Sequence, residues 1–153
     1  MKSRNSLIVV GAVIAVLVIG GFIIAGNSAK QQSSFGATQA GTTIDNRFSA
    51  RFLSYSEDNL KKATQNGGRA VIFFHAKWCF LCPQAEEDLK SNFDKVPENI
   101  TILKTDYDTS EQLKAKYGIV SPDTWVQVDS NGKELMKWNS GGEVFSALLA
   151  NIK

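Results

Sequence analysis

Apolar residues fall along this chain in three regimes. From Leu7 to Ala25, nineteen consecutive residues are apolar or glycine, a length that crosses the hydrocarbon core of a bilayer as a helix. Residues 26–46, GNSAKQQSSFGATQAGTTIDN, reverse the pattern, with only Phe35 and Ile44 as sizeable apolar residues. Such a stretch buries too little surface to offset its ordering entropy and reads as a flexible tether. From Arg47 to Lys153 apolar and polar positions recur with the periods of regular structure, which predicts one compact domain over residues 47–153.

Inside that domain Phe52 to Tyr55 reads as a short extended piece, and Ser56 as the cap of a helix running to about Gln65 before Asn66, Gly67 and Gly68. Ala70 to His75, AVIFFH, is a continuous apolar run, the pattern of a strand covered on both faces. Beyond Trp78, the spacing of Leu81, Ala85, Leu89 and Phe93 predicts a helix with one buried stripe. Ile100 to Thr105 reads as a strand, and Ser110 to Tyr117 as a helix ended by Gly118. Asn131-Gly132 between Thr124–Asp129 and Glu134–Trp138 is a hairpin signal. Glu143 to Ile152 closes the chain as an amphipathic helix. The order (β)αβαβαββα predicts an α/β fold: a mixed central sheet with helices on both faces, preceded by one transmembrane helix.

Charge places this arrangement in space. The chain has 17 Lys and Arg against 15 Asp and Glu; Lys2 and Arg4 precede the apolar run, so the remainder carries 15 of each sign. A balanced domain has no broad electrostatic basis for binding nucleic acid or anionic lipid. Basic residues ahead of the run, with Lys30 alone close behind it, put residues 1–6 in the cytoplasm and the domain outside. A cleaved signal peptide has a shorter apolar run and a small-residue cleavage site, which Gly26 to Ala29 match poorly. The expectation is a retained single-pass anchor in the cytoplasmic membrane, with an extracytoplasmic C-terminal domain.

The candidate chemistry lies between the apolar strand and the helix that follows it. The only two cysteines stand as Trp78-Cys79-Phe80-Leu81-Cys82. At a helix start, residues three apart share a face, within reach of a disulfide. Unpaired N–H groups and the positive dipole end stabilise a thiolate there, so Cys79, nearer that end, is the expected attacking sulfur and Cys82 the resolving one. Three other uses of the pair compete. A structural disulfide closing so short a loop stabilises weakly. Zinc wants four ligands where the chain has two cysteines and one histidine. A two-thiolate copper(I) site is compatible with soft ligands and stands as the alternative function, a binding module for copper(I) delivery or partner binding.

WCFLC after AVIFFHAK resembles the active-site region of the thioredoxin family. The similarity continues through ITILKTD at Ile100 to Asp106, Tyr117-Gly118-Ile119, and Thr124 to Glu134, TWVQVDSNGKE. The resemblance implies a thioredoxin fold and exchange through a mixed disulfide at Cys79; that mechanism needs no bound organic cofactor, and no metal is expected. Extracytoplasmic placement implies a membrane redox partner that recharges the pair; the expected substrates are protein thiols or disulfides, and the expected state is a monomer. Three positions depart from the family. Phe73 stands where a buried aspartate is expected, with Lys104 at its partner's position. Asp123 stands where a cis-proline precedes the threonine, here Thr124, and Pro122 comes one residue early. Either Pro122 serves in a shifted loop, or Asp123 faces the sulfurs and disfavours thiolate. Phe80-Leu81 replaces a small or proline-containing pair. His75 and Lys77 are candidate tuning groups beside the motif, Trp78 a candidate rim for substrate, and Pro122, Asp123 and Thr124 candidate contacts.

Overall fold

The computed structural model describes residues 37–153. The expected membrane span at Leu7–Ala25 and residues 26–36 of the expected tether lie outside them. Among the described residues no helix is long and apolar enough to cross a membrane.

One expectation is corrected at once. A helix, α1 (Ala37–Arg51), occupies the last ten residues assigned to the tether, so the boundary drawn at Arg47 falls inside an element. Its C-terminal half explains why. Phe48 stacks on Phe52 at 4.6 Å and meets Phe93 edge-on at 5.1 Å. Arg51 lies over the Phe93 ring and donates to the Pro97 and Ile100 carbonyls at 2.7 and 3.1 Å, and Asp45 pairs with Lys90. Tertiary contacts of this kind, rather than a hydrophobic stripe, hold a helix whose own sequence has little periodicity.

The remaining elements follow the predicted order: β1 (Phe52–Ser54), α2 (Glu57–Ala63), β2 (Arg69–His75), α3 (Leu81–Ser91), β3 (Ile100–Asp106), α4 (Glu111–Tyr117), β4 (Thr124–Val128), β5 (Glu134–Asn139) and α5 (Val144–Asn151). Ser56 caps α2 as read, its Oγ accepting from the Asn59 N–H at 3.0 Å. Gly118 ends α4 in the left-handed region at φ +59°, where a side chain is strained. Two short 3-10 turns follow α2 and α3.

The five strands lie in the order β1-β3-β2-β4-β5, parallel across β1, β3 and β2 and antiparallel across β2, β4 and β5. This places β2 at the centre, and its residues 70–74 are fully buried. Its side chains alternate between two apolar layers. Val71 and Phe73 join Ile102, Trp125, Leu89 and Leu148 under α1, α3 and α5. Ala70, Ile72 and Phe74 join Leu60, Leu103, Tyr117 and Val126 under α2 and α4. The C-terminal end of the central strand therefore delivers the Trp78–Cys82 segment to the top of the sheet, with packed layers on both sides holding it still.

Candidate active site

After His75 the chain turns through Ala76, whose carbonyl accepts the Cys79 N–H at 3.2 Å, and α3 begins two residues later. No side-chain oxygen caps this helix. Instead the Cys79 sulfur accepts the Cys82 N–H at 3.1 Å, so the sulfur itself receives a helix-terminal donor of the kind that favours a thiolate. Cys79 and Cys82 are joined as a disulfide, with Cα atoms 5.4 Å apart. The two sulfurs are not equivalent: Cys79 is 8% exposed and Cys82 fully buried. Among the described residues no group of three or more His, Cys, Asp or Glu stands together as a metal site, so a metal here would rest on the two sulfurs.

Cys79 borders a mainly apolar groove of about 490 Å³, lined on one side by Trp78, Phe80 and Leu81 and on the other by residues 121–123 with Asn139 and Gly141. Trp78 and Phe80 are 64% and 79% exposed, and Val120 nearby is 90% exposed. Trp78 is nevertheless held: its Nε1–H donates to both Asp108 carboxylate oxygens at 3.0 and 3.1 Å, and Tyr107 meets its ring edge-on. Of the sequence-predicted residues, the structure thus brings Trp78, Pro122 and Asp123 to the groove with Cys79. Thr124 is buried behind it, donating to the Ser121 carbonyl at 2.8 Å and accepting from Asn139. His75 and Lys77 line a separate polar cavity of about 380 Å³ with Lys104 and Asp106.

The residues that depart from the expected pattern have definite partners. Phe73 is fully buried and stacks on Trp125 with ring centroids 3.9 Å apart, so the floor beneath α3 is apolar. Lys104, opposite Phe73 in the β2–β3 register, ion-pairs with Glu86 at 2.6 Å and lies over the Phe52 ring. The same Glu86 oxygen is 3.4 Å from His75 Nε2. Burial lowers the His75 pKa and Lys104 adds to the effect, against the attraction of Glu86 and Asp106. Asp123 has φ +56° and turns its carboxylate to Trp125, Ser140 and Gly141.

Asn139, Ser140, Gly141, Asp108 and Glu86 were not singled out from the sequence. Ser140-Gly141-Gly142 is a sequence of turn residues, and Glu86-Glu87-Asp88 is an acidic run whose ordinary use is a solvated helix face. Their closeness to the motif is a product of topology: β4 and β5 bring residues 121–123 and 139–141 together, and helical spacing puts Glu86 one turn beyond Cys82.

The thioredoxin family model matches residues 51–153, about two thirds of the chain. The chain belongs to the thioredoxin family. Thioredoxin-1 of Drosophila melanogaster is 34% identical over 61 residues, which are 40% of this chain and 57% of that protein; the match spans less than two thirds of the relative. Among solved structures, Fasciola hepatica thioredoxin is similar with a TM-score of 0.51 at 27% identity, covering 65% of this chain and 94% of its own. Trxlp of Edwardsiella tarda aligns with a TM-score of 0.54 over 64% of this chain and 97% of its own, and at 20% identity it speaks for the fold alone. Within the matched region of this chain the Cys-X-X-Cys pair stands over a floor with Phe73 and faces a groove wall with Asp123.

Proposed function

We propose that this thioredoxin-family chain is a thiol-disulfide oxidoreductase that acts on protein substrates outside the cytoplasmic membrane, with Leu7–Ala25 as its anchor. The observation that carries the reading is the asymmetry of the pair: Cys79 borders an open apolar groove while Cys82 is sealed beneath it. In the reducing direction the Cys79 thiolate attacks one sulfur of a substrate disulfide. A mixed disulfide forms, and the other substrate sulfur leaves as a thiolate that takes up a proton. Cys82 then loses its proton and attacks Cys79 Sγ, breaking the mixed bond and releasing the second substrate thiolate. Two electrons pass to the substrate and the Cys79–Cys82 disulfide results; oxidation of a substrate dithiol is the reverse. No organic cofactor enters these steps. A membrane redox partner would restore the pair, since the chain has no further cysteines to carry electrons.

Trapping tests the roles. Cys82→Ser should accumulate mixed disulfides on Cys79, whereas Cys79→Ser should accumulate none; adducts on Cys82 in the latter variant would reverse the assignment. Placement is tested separately by protease added to intact spheroplasts carrying the full chain. Digestion of the domain without lysis supports the extracytoplasmic reading, and protection until lysis contradicts it. Tight copper(I) uptake by a pair that does not exchange disulfides would replace the enzyme with a binding module.

A further inference from the structure

Asp123 combines a left-handed backbone with a buried carboxylate whose donors can all be named. Its backbone lies at φ +56°, as only one other described non-glycine residue, Asn66, does, a region that Asp and Asn adopt more readily than other L-residues. It is also 3% exposed, and a buried carboxylate is tolerated only where donors replace water. Those donors are present and neutral. Ser140 Oγ–H and Trp125 Nε1–H reach Oδ1 at 2.5 and 3.1 Å, and the Gly141 N–H reaches Oδ2 at 2.9 Å. The main chain of the same residue is equally committed. Its N–H donates to the Phe74 carbonyl on β2 at 2.9 Å, and its carbonyl accepts from Asn139 Nδ2 at 3.1 Å.

These bonds join the two segments that form one wall of the groove, residues 121–123 and residues 139–141. The second segment needs such a clamp. Gly141 and Gly142 both have positive φ, at +64° and +89°, and a glycine pair has no stiffness of its own. We propose that Asp123 is a positioning residue for substrate recognition: it fixes the wall facing Cys79 so that a substrate chain lying against Trp78 and Phe80 meets a formed surface. The inference rests on the reading that the substrates are proteins. Its carboxylate oxygens are occupied by Trp125, Ser140 and Gly141, while the Cys79 sulfur is served by the Cys82 N–H. Its influence therefore falls on docking of an extended chain more than on the sulfur chemistry, and a small disulfide, which needs no wall, is the natural contrast.

The test compares insulin, turned over with excess dithiothreitol to regenerate the dithiol form and corrected for the uncatalysed rate, with the small disulfide 5,5′-dithiobis(2-nitrobenzoate) as a single-turnover oxidant of the pre-reduced chain, using the full chain in detergent. Asp123→Ala should raise KM for insulin about tenfold with kcat within about threefold, the loss expected of a few hydrogen bonds. The fall in rate constant with the small disulfide should be at least about fivefold smaller than the fall in kcat/KM with insulin. Asp123→Asn tolerates left-handed φ and keeps one acceptor oxygen but sets its amide N–H₂ against one of the donors, and should leave the insulin KM between the native value and that of Asp123→Ala. Ser140→Ala removes one donor and should raise that KM about threefold, which decides the matter where Asp123→Ala does not fold. An unchanged insulin KM in folded Asp123→Ala, or in Ser140→Ala, overturns the proposal, as do equal losses with the two substrates. Failure of the native chain itself to turn over insulin would instead overturn the protein-substrate reading, and this inference with it.

Discussion

Replacing Glu86 by glutamine removes the one carboxylate that Lys104 and His75 share beneath α3. Lys104 Nζ and His75 Nε2 lie 2.6 and 3.4 Å from Glu86 Oε1, and the Lys104 and Glu86 side chains are 37% and 28% exposed. Fully exposed pairs contribute about 0.2–1 kcal/mol, and breaking a fully buried pair costs about 3–5 kcal/mol. A short, part-exposed pair lies toward the lower range, so a double-mutant cycle of Glu86→Gln with Lys104→Met should give a coupling of about 1 kcal/mol in urea unfolding at pH 7. The pH dependence tests the same geometry from the side of His75. Burial first, and Lys104 second, hold its pKa below the ordinary 6.5, against Glu86 and Asp106; Lys77 faces the same cavity. The folded state therefore prefers the neutral ring. Its contribution is fully present above 6.5 and is lost as the pH falls from there through the lower folded value. Glu86→Gln removes an attraction that opposes this and should deepen the loss, whereas Lys104→Met should make it shallower. A coupling under about 0.3 kcal/mol, the scatter of independent sites, or pH profiles that shift in the same direction in both variants, would refute the reasoning.

Other expectations follow from single contacts. Phe73→Ala deletes a fully buried ring stacked on Trp125 and should cost about 3–5 kcal/mol in urea unfolding; a loss under about 1 kcal/mol would mean that the floor beneath α3 collapses to fill the space. Trp78→Ala removes an exposed rim residue and should slow insulin reduction about fivefold, with unfolding stability changed by less than about 1 kcal/mol; equal turnover would deny it a role in docking. Gly118→Ala places a side chain at φ +59° and should lower stability by about 1 kcal/mol, read from the urea midpoint, with no loss expected if α4 can end in another conformation.

Legibility from sequence varied with the range of the interaction involved. The β2 run, the Ser56 cap, the Gly118 stop and the Asn131-Gly132 hairpin are local signals, and each appears in the fold where its residues stand. The cysteine pair was equally legible, because strand, turn and helix are contiguous through residues 69–91. The first ten residues of α1 were misread as tether because its anchoring contacts come from Phe93, Pro97 and Ile100, some fifty residues away. The clamp on Asp123 escaped for the same reason. Its donors at Ser140 and Gly141 reach it only once β4 and β5 have paired, and their Ser-Gly-Gly sequence marks a turn without marking a partner. Of the two readings left open at that position, a carboxylate spent on Trp125, Ser140 and Gly141 fits neither simply: both Pro122 and Asp123 line the groove, and Asp123 is held by its wall.

The central claim is that Cys79 and Cys82 form a working redox couple, and its most direct test is equilibration of the full chain with mixtures of reduced and oxidised glutathione, quenched and resolved by thiol alkylation. The account predicts one reversible two-electron transition between dithiol and disulfide, absent in Cys79→Ser; a pair that stays locked as a disulfide across the whole range, or thiols that never close to one, would contradict it.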